Sequence, residues 1–263
     1  MKNKIAALLF LSLSYNLDAK ITNIFVDVNL LLETCTKAAT KEVGIWDSTK
    51  YTTYMGKTPN KADYFKSLKN CPAQSDQQTY NEDLVMPPIL CDWLLGLQTN
   101  STVKTTIFNH LTKSSLSNIE KTIYKNIATM MVTPKTFVGT QLVKKDVAKM
   151  IQKLLQSSQY TVRIIGNWDK ESEPFLIKLL QTQLSIDTKN CIFSNKLQQL
   201  KPNDGYYSAL VCHCNVNPKE CLVIDTEKKH VQGAKTIGMT SVLIQGQSAS
   251  QLKTELGKHK IQV

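Results

Sequence analysis

Apolar positions along the chain fall into two rhythms. Short unbroken runs rich in β-branched residues occur at Ile24, Phe25 and Val26, at 161–165, at 221–224 and at 241–244. Runs of this kind, bounded by turn-forming sequence, mark strands buried on both faces. Three of them end on polar or small residues, at Asp27, at Gly166 with Asn167, and at Asp225. Longer stretches follow a helical period: Val147, Met150, Ile151, Leu154 and Leu155 share one face, and Phe175, Leu176, Leu179 and Leu180 share another. The alternation predicts an α/β fold, a doubly wound parallel sheet with helices between its strands. Ligands of such sheets bind at the carboxyl ends of adjacent strands, so Asp27, Asn167 and Asp225 are expected to converge there.

The gap between the first two strand runs is too long for one crossover helix. It carries apolar groups of helical character around 64–68, 89–97, 103–111 and 119–131, broken by Pro59, Pro72, Pro87, Pro88 and Pro134. The expected organisation is a discontinuous core at 20–34 and 142–263, with an α-helical cap at 35–141 inserted over the carboxyl edge of the sheet. The sequence shows no internal repeat and no low-complexity tract.

Composition then narrows the picture. With 42% apolar and 20% charged residues in 263, the chain reads as a folded globular protein. The formal charge of +11 rests almost entirely on scattered lysines, because Arg163 is the single arginine. Bidentate reading of bases and phosphates leans on arginine, so nucleic-acid binding is the lesser reading and solvated basic faces the better one. Lys2 and Lys4 precede an apolar run at 5–13, which reads as a secretory signal peptide over 1–19 and an exported mature chain. The alternatives are an extra first strand, or a cytoplasmic protein with a frayed leader. The run is too short to span a bilayer, so no stable membrane insertion is expected. Seven cysteines cannot pair completely within one chain. Cys212, His213, Cys214 and Cys221 lack common zinc-knuckle spacing, and the cysteines read as small buried or semi-buried thiols. His110, His213, His230 and His259 are dispersed and read as incidental, and Trp46, Trp93 and Trp168 read as packing residues.

Four short motifs carry the chemistry. The first is Phe25-Val26-Asp27-Val28-Asn29, and the second is Ile164-Ile165-Gly166-Asn167-Trp168-Asp169. The third is Ile192-Phe193-Ser194-Asn195 followed by Leu200-Lys201-Pro202, and the fourth is Leu222-Val223-Ile224-Asp225-Thr226 with Gly233 and Gly238 downstream. In this order, and at these strand ends, they resemble the motifs of the haloacid-dehalogenase-like (HAD-like) hydrolase superfamily. The resemblance covers the chain after the leader.

It implies a magnesium-dependent phosphatase acting on a small phosphate ester. Asp27 would attack phosphorus and give an aspartyl-phosphate that water hydrolyses. Magnesium would be held by the Asp27 and Asp225 carboxylates and the Asn29 carbonyl, and Lys201 would offset charge on the phosphoryl oxygens. Gly166, Asn167 and Lys201 would receive the phosphate. Two departures stand out. Asn29 replaces the carboxylate that protonates the leaving group, a contribution typically worth ~10²–10⁴-fold. Gly166 replaces a serine or threonine, whose hydroxyl contacts the phosphoryl group. Together with Thr226, they motivate the alternative of an inactive HAD-like pseudoenzyme that serves as a binding or regulatory module. Taken singly, Asp27 and Asp225 also suit helix N-caps, and Lys201 a surface loop.

Overall fold

The computed structural model describes residues 20–44, 60–81 and 83–263. The expected leader at 1–19 lies outside them, as do Trp46 and Pro59. Along the chain come β1 (Asn23–Asp27), β2 (Leu32–Thr34), β3 (Tyr80–Asn81), β4 (Leu84–Val85) and β5 (Gln141–Val143). They are followed by β6 (Thr161–Gly166), β7 (Cys191–Phe193), β8 (Cys221–Asp225) and β9 (Thr240–Leu243).

Five of these strands form one parallel sheet in the order β7-β6-β1-β8-β9. The chain steps outward from β1 to β6 and β7, then crosses back to lay β8 on the other side of β1. That reversal places the switch point of a doubly wound sheet at β1, beside the carboxyl ends that carry Asp27 and Asp225. Strand alternation covers both faces. Ile24, Val26, Leu222 and Ile224 join one apolar cluster with Ile151, Leu154, Leu176 and Leu180. Phe25, Ile165 and Val223 join another with Tyr206, Tyr207 and Leu210. The fifth strand, β7, is only three residues long, too short for a periodicity to announce it.

Residues 35–140 leave the core between two short antiparallel strands. β2 pairs with β5 in the register Leu32 to Val143, and Cys35 N–H to Thr140 O (2.7 Å) continues the ladder. The insertion is mainly helical, with helices Thr36–Glu42, Lys61–Ser67, Pro88–Leu94, Asn100–Lys113, Asn118–Met131 and Pro134–Gly139. Their local signals are strong. Ser117 and Glu120 form a reciprocal capping box, Thr99 and Asn60 cap their helices, and prolines occupy the first turns at Pro88 and Pro134. A separate apolar cluster, including Tyr64, Leu68, Ile89, Ile107 and Ile123, belongs to the insertion, and Leu200 of the core loop inserts into it.

Polar contacts hold the insertion against loops that follow β6 and β7. Ser194 Oγ donates to Leu94 O (2.6 Å), Gln198 Nε2 to Leu95 O (2.8 Å) and Asn100 N–H to Glu171 Oε1 (2.7 Å). No helix among the described residues is long and apolar enough to cross a membrane. All seven cysteines are free; four are buried and Cys212 is exposed.

Helix Lys228–Thr236 is seated on the loop after β7 through Gly233. A Cβ there would meet Pro202 O at 2.1 Å and Tyr207 Cε2 at 3.0 Å, and a backbone carbonyl cannot yield as a flexible side chain would. Gly233→Ala is therefore expected to destabilise the fold by ~1–3 kcal/mol. Gly257, in helix Ala249–Lys258, has nothing within 4 Å of its Cβ position. Gly257→Ala is expected to stabilise by about 0.5–1 kcal/mol. Chemical denaturation of both variants checks the pair, and an equal response would contradict this packing.

Candidate active site

β1 and β8 are hydrogen-bonded neighbours, so their terminal residues emerge side by side. Both terminal carboxylates are fully buried. Each also organises the turn that follows its strand: Asp27 Oδ1 accepts from Asn29 N–H (2.8 Å), and Asp225 Oδ1 accepts from Glu227 N–H (3.0 Å). The turn-forming role and the role in the cluster thus use different oxygens of the same side chains.

Lys201 supplies the counter-charge. Its ammonium bonds Asp27 Oδ2 and Asp225 Oδ2, the latter at 2.8 Å, and its side chain is 1% exposed. It is a core residue of the site and has no surface-loop character. Its backbone is fixed from two directions. Asn167 receives Lys201 N–H on Oδ1 (2.9 Å) and donates from Nδ2 to Lys201 O and to Thr79 Oγ1 (both 3.1 Å). Thr79, in the insertion, donates to the same carbonyl. Both ends of the Asn167 amide are therefore engaged in holding Lys201.

Burial and charge act against each other here. Burial, and then the Asp225 charge, push the Asp27 carboxyl up, while Lys201 and His230 oppose the rise. Burial also acts upward on Asp225, but Lys201 and then His230 outweigh it and hold that carboxyl well below the usual range. Burial would discharge Lys201, yet Asp225 and Asp27 together raise it well above an ordinary lysine. Asp225 and Lys201 thus hold each other charged, while the net push on Asp27 is upward.

Besides Thr79, two features of the site are not among those expected from the sequence. His230, taken there as incidental, is buried, with Nδ1 3.1 Å from Asp225 Oδ1 and Nε2 3.8 Å from Glu227 Oε2. Its signal was available, since a histidine five residues after a strand-end acid falls on the first turn of the next helix. The second feature is Val28. A Cβ at Gly166 would meet Val28 Cγ1 at 2.7 Å, with Asp27 Oδ2 3.7 Å away. The Val28 methyl stands where a motif-two side chain would begin, so the glycine and the valine are one packing solution. No spacing rule connects positions 28 and 166.

A cavity of about 640 Å³ lies between the insertion and the sheet edge, and Asn29, Asn167, Asp169, Lys201, Glu227 and His230 line it at the core. The Asn29 residue is exposed, and it follows Asp27 on the single helical turn Val28–Leu31. Trp168 packs as expected, stacked on Phe137 at 5.2 Å, and also lines the cavity.

This architecture is that of the HAD-like proteins. A HAD family enzyme from Bacteroides thetaiotaomicron, solved with magnesium and inorganic phosphate, matches with a TM-score of 0.56. The match covers 88% of this chain and 98% of that one at 14% identity. A protein from Porphyromonas gingivalis, described as a predicted HAD-like family hydrolase, matches with a TM-score of 0.55 over 91% and 99% at 15% identity. A dehalogenase solved as an intermediate complex matches with a TM-score of 0.54 over 90% and 97% at 15% identity. No family model matches the sequence, and no curated protein does. At such identities the likeness defines the fold.

Asp169 yields a test of the site's electrostatics. Burial raises its carboxyl from an ordinary 3.8 to about 6, although Ser172 and Glu171 N–H groups donate to Oδ1. A carboxyl whose folded pKa exceeds its unfolded one favours folding only while protonated. That contribution is complete below about pH 4 and is lost as pH rises through about 6. Asp169→Asn keeps an accepting Oδ1 and cannot ionise. It is expected to raise stability at pH 8 by as much as roughly 3 kcal/mol and to change it little at pH 4. Melting curves at the two pH values decide this, and a loss of stability at pH 8 would count against it.

Proposed function

We propose that the chain is a HAD-like hydrolase that works through a covalent intermediate on Asp27, with small phosphate monoesters as its substrate class. The single observation that carries this reading is the buried cluster in which Lys201 bridges Asp27 and Asp225 at the switch point of the sheet. The helical insertion is read as a cap that excludes water and selects the substrate.

A divalent ion fits the donors present. Asp27, Asp225 and His230 each offer a ligand atom within 4.8 Å of the others, and all three residues are buried. Hard carboxylate oxygens suit magnesium, so Asp27 and Asp225 would hold it, together with the Asn29 carbonyl that the family resemblance assigns. Bound there, it would supply positive charge to the phosphoryl oxygens and to Asp27.

The chain's own residues account for the remaining steps. An Asp27 oxygen attacks phosphorus, a new oxygen–phosphorus bond forms, and the bond to the ester oxygen breaks. Water then attacks the aspartyl-phosphate, releases inorganic phosphate and restores the carboxylate. Lys201 stays charged throughout and balances the phosphoryl oxygens. Asn167 is a positioning residue in this scheme, because its amide holds Lys201. A carboxamide at Asn29 cannot hand a proton to the departing oxygen, so esters of acidic alcohols are favoured.

The second reading is a pseudoenzyme, which Val28 favours. Its methyl occupies the start of the motif-two side chain, and Asp27 is wholly enclosed. Such a chain would bind a phosphate mimic without turning over.

An ester panel with magnesium separates the readings. The wild type is expected to hydrolyse aryl phosphates measurably, and Asp27→Asn is expected to abolish this. Asn29→Asp is expected to raise the rate on alkyl esters by ~10²–10⁴-fold. Gly166→Ser alone is expected to disturb packing, whereas Val28→Ala with Gly166→Ser makes room for the hydroxyl and raises the rate further. Absence of turnover in the wild type and in all repaired variants, with binding of a phosphate mimic retained, would establish the pseudoenzyme.

A further inference from the structure

The cavity beside the Asp27 cluster is not lined evenly. Its core end is polar, with Asn29, Asn167 and Lys201. One stretch of its wall is apolar, formed by Met86, Trp93, Met130, Met131 and Phe137 of the insertion with Trp168 of the core, while Thr36, Thr40, Asn60 and Lys61 of the insertion line it elsewhere. Phe137 sits 6.0 Å from Trp93 and 5.2 Å from Trp168, ring to ring, so three aromatic rings run continuously from the insertion to the core. Met86, Met130, Met131 and Phe137 pack against the insertion's apolar cluster but are only partly buried by it. Their uncovered surface belongs to the cavity wall.

A sugar or polyol body lying against the apolar stretch would lose its water there without gaining hydrogen bonds from it, which is costly. An alkyl or aryl body would be stabilised, and unbranched thioether side chains adapt to its shape. A cavity of about 640 Å³ is within the range that holds a drug-sized molecule, far more than a phosphate needs. We propose that the ligand is an organic monophosphate with an apolar body, a flexible alkyl chain or a flat ring, lying against this wall with its phosphoryl group at Lys201 and Asn29. The inference rests on the phosphate-ester reading above and adds the chemistry of the rest of the molecule.

Alkylphosphonates test it, because they cannot be hydrolysed and binding is read without turnover. Titrations of ethyl-, butyl- and hexylphosphonate into the full chain with magnesium, followed by tryptophan fluorescence and calorimetry, should show affinity rising roughly threefold to fourfold per methylene. Hexylphosphonate should then bind roughly 100-fold more tightly than ethylphosphonate. Met130→Gln and Met131→Gln should flatten this slope, while Met131→Leu, which keeps the wall apolar, should retain it and controls for folding. Affinity independent of chain length would overturn the proposal. So would hexanol binding as tightly as hexylphosphonate, or glycerol phosphate being turned over faster than hexyl phosphate. If the phosphonates bind in the graded manner and no ester is hydrolysed, this inference stands and the hydrolase reading falls.

Discussion

Two carboxylates without exposed surface cannot both stay ionised a few ångströms apart unless a cation lies between them. Lys201 is that cation, and the rest of the site is arranged around keeping it there. Removing one partner of a buried ion pair typically costs ~3–5 kcal/mol, because an uncompensated charge remains in low dielectric. The three groups are therefore linked: Asp225 and Asp27 keep Lys201 charged, Lys201 and His230 keep Asp225 ionised, and the Asp225 charge in turn works against ionisation of Asp27. Charge also decides geometry, since an ammonium bonded to one oxygen of each carboxylate leaves the opposite oxygens directed toward the turns after β1 and β8.

The position of Lys201 is in turn a product of the insertion. Its carbonyl accepts from Thr79 of the insertion as well as from Asn167 of the core, and the neighbouring Leu200 is buried in the insertion's apolar cluster. A loop held by two bodies cannot shift without disturbing both. Motion of the insertion would be felt first at the Lys201 backbone and then at the carboxylates, which links the packing of a region far along the sequence to the charge of the centre.

How much of this was legible beforehand depended on the kind of signal. Asp27 and Asp225 could be placed because a strand buried on both faces has an apolar run with an obvious end, and parallel topology brings such ends together. Lys201 followed from motif order more than from any local pattern, since a lysine before a proline carries no burial signal of its own. The four histidines share no spacing, so the signal of His230 lies only in its distance of five residues from the strand-end Asp225. The Val28 and Gly166 pairing was out of reach: it depends on two side-chain positions meeting across adjacent strand ends, and no periodicity encodes that. Thr79 escaped for the same reason, lying in a segment with no rhythm at all. The leader lies outside the described residues.

One departure from the expected motifs is matched by a neighbour in space. Gly166 lacks a side chain and Val28 fills its place. Thr226 removes one potential carboxylate, and His230 takes up an oxygen of Asp225. Packing alone gives no reason to keep the three charged groups among these replacements. A buried ion cluster is often no more stabilising than apolar residues of the same volume, so folding does not by itself call for Asp27, Lys201 and Asp225 together. What such a cluster does provide is a carboxyl oxygen held at a fixed point with positive charge beside it. Those are features that the proposed displacement on Asp27 would use, with Asn29 in place of the carboxylate that the resemblance leads one to expect. Under the proposed hydrolase reading, such a centre would favour leaving groups that depart unaided.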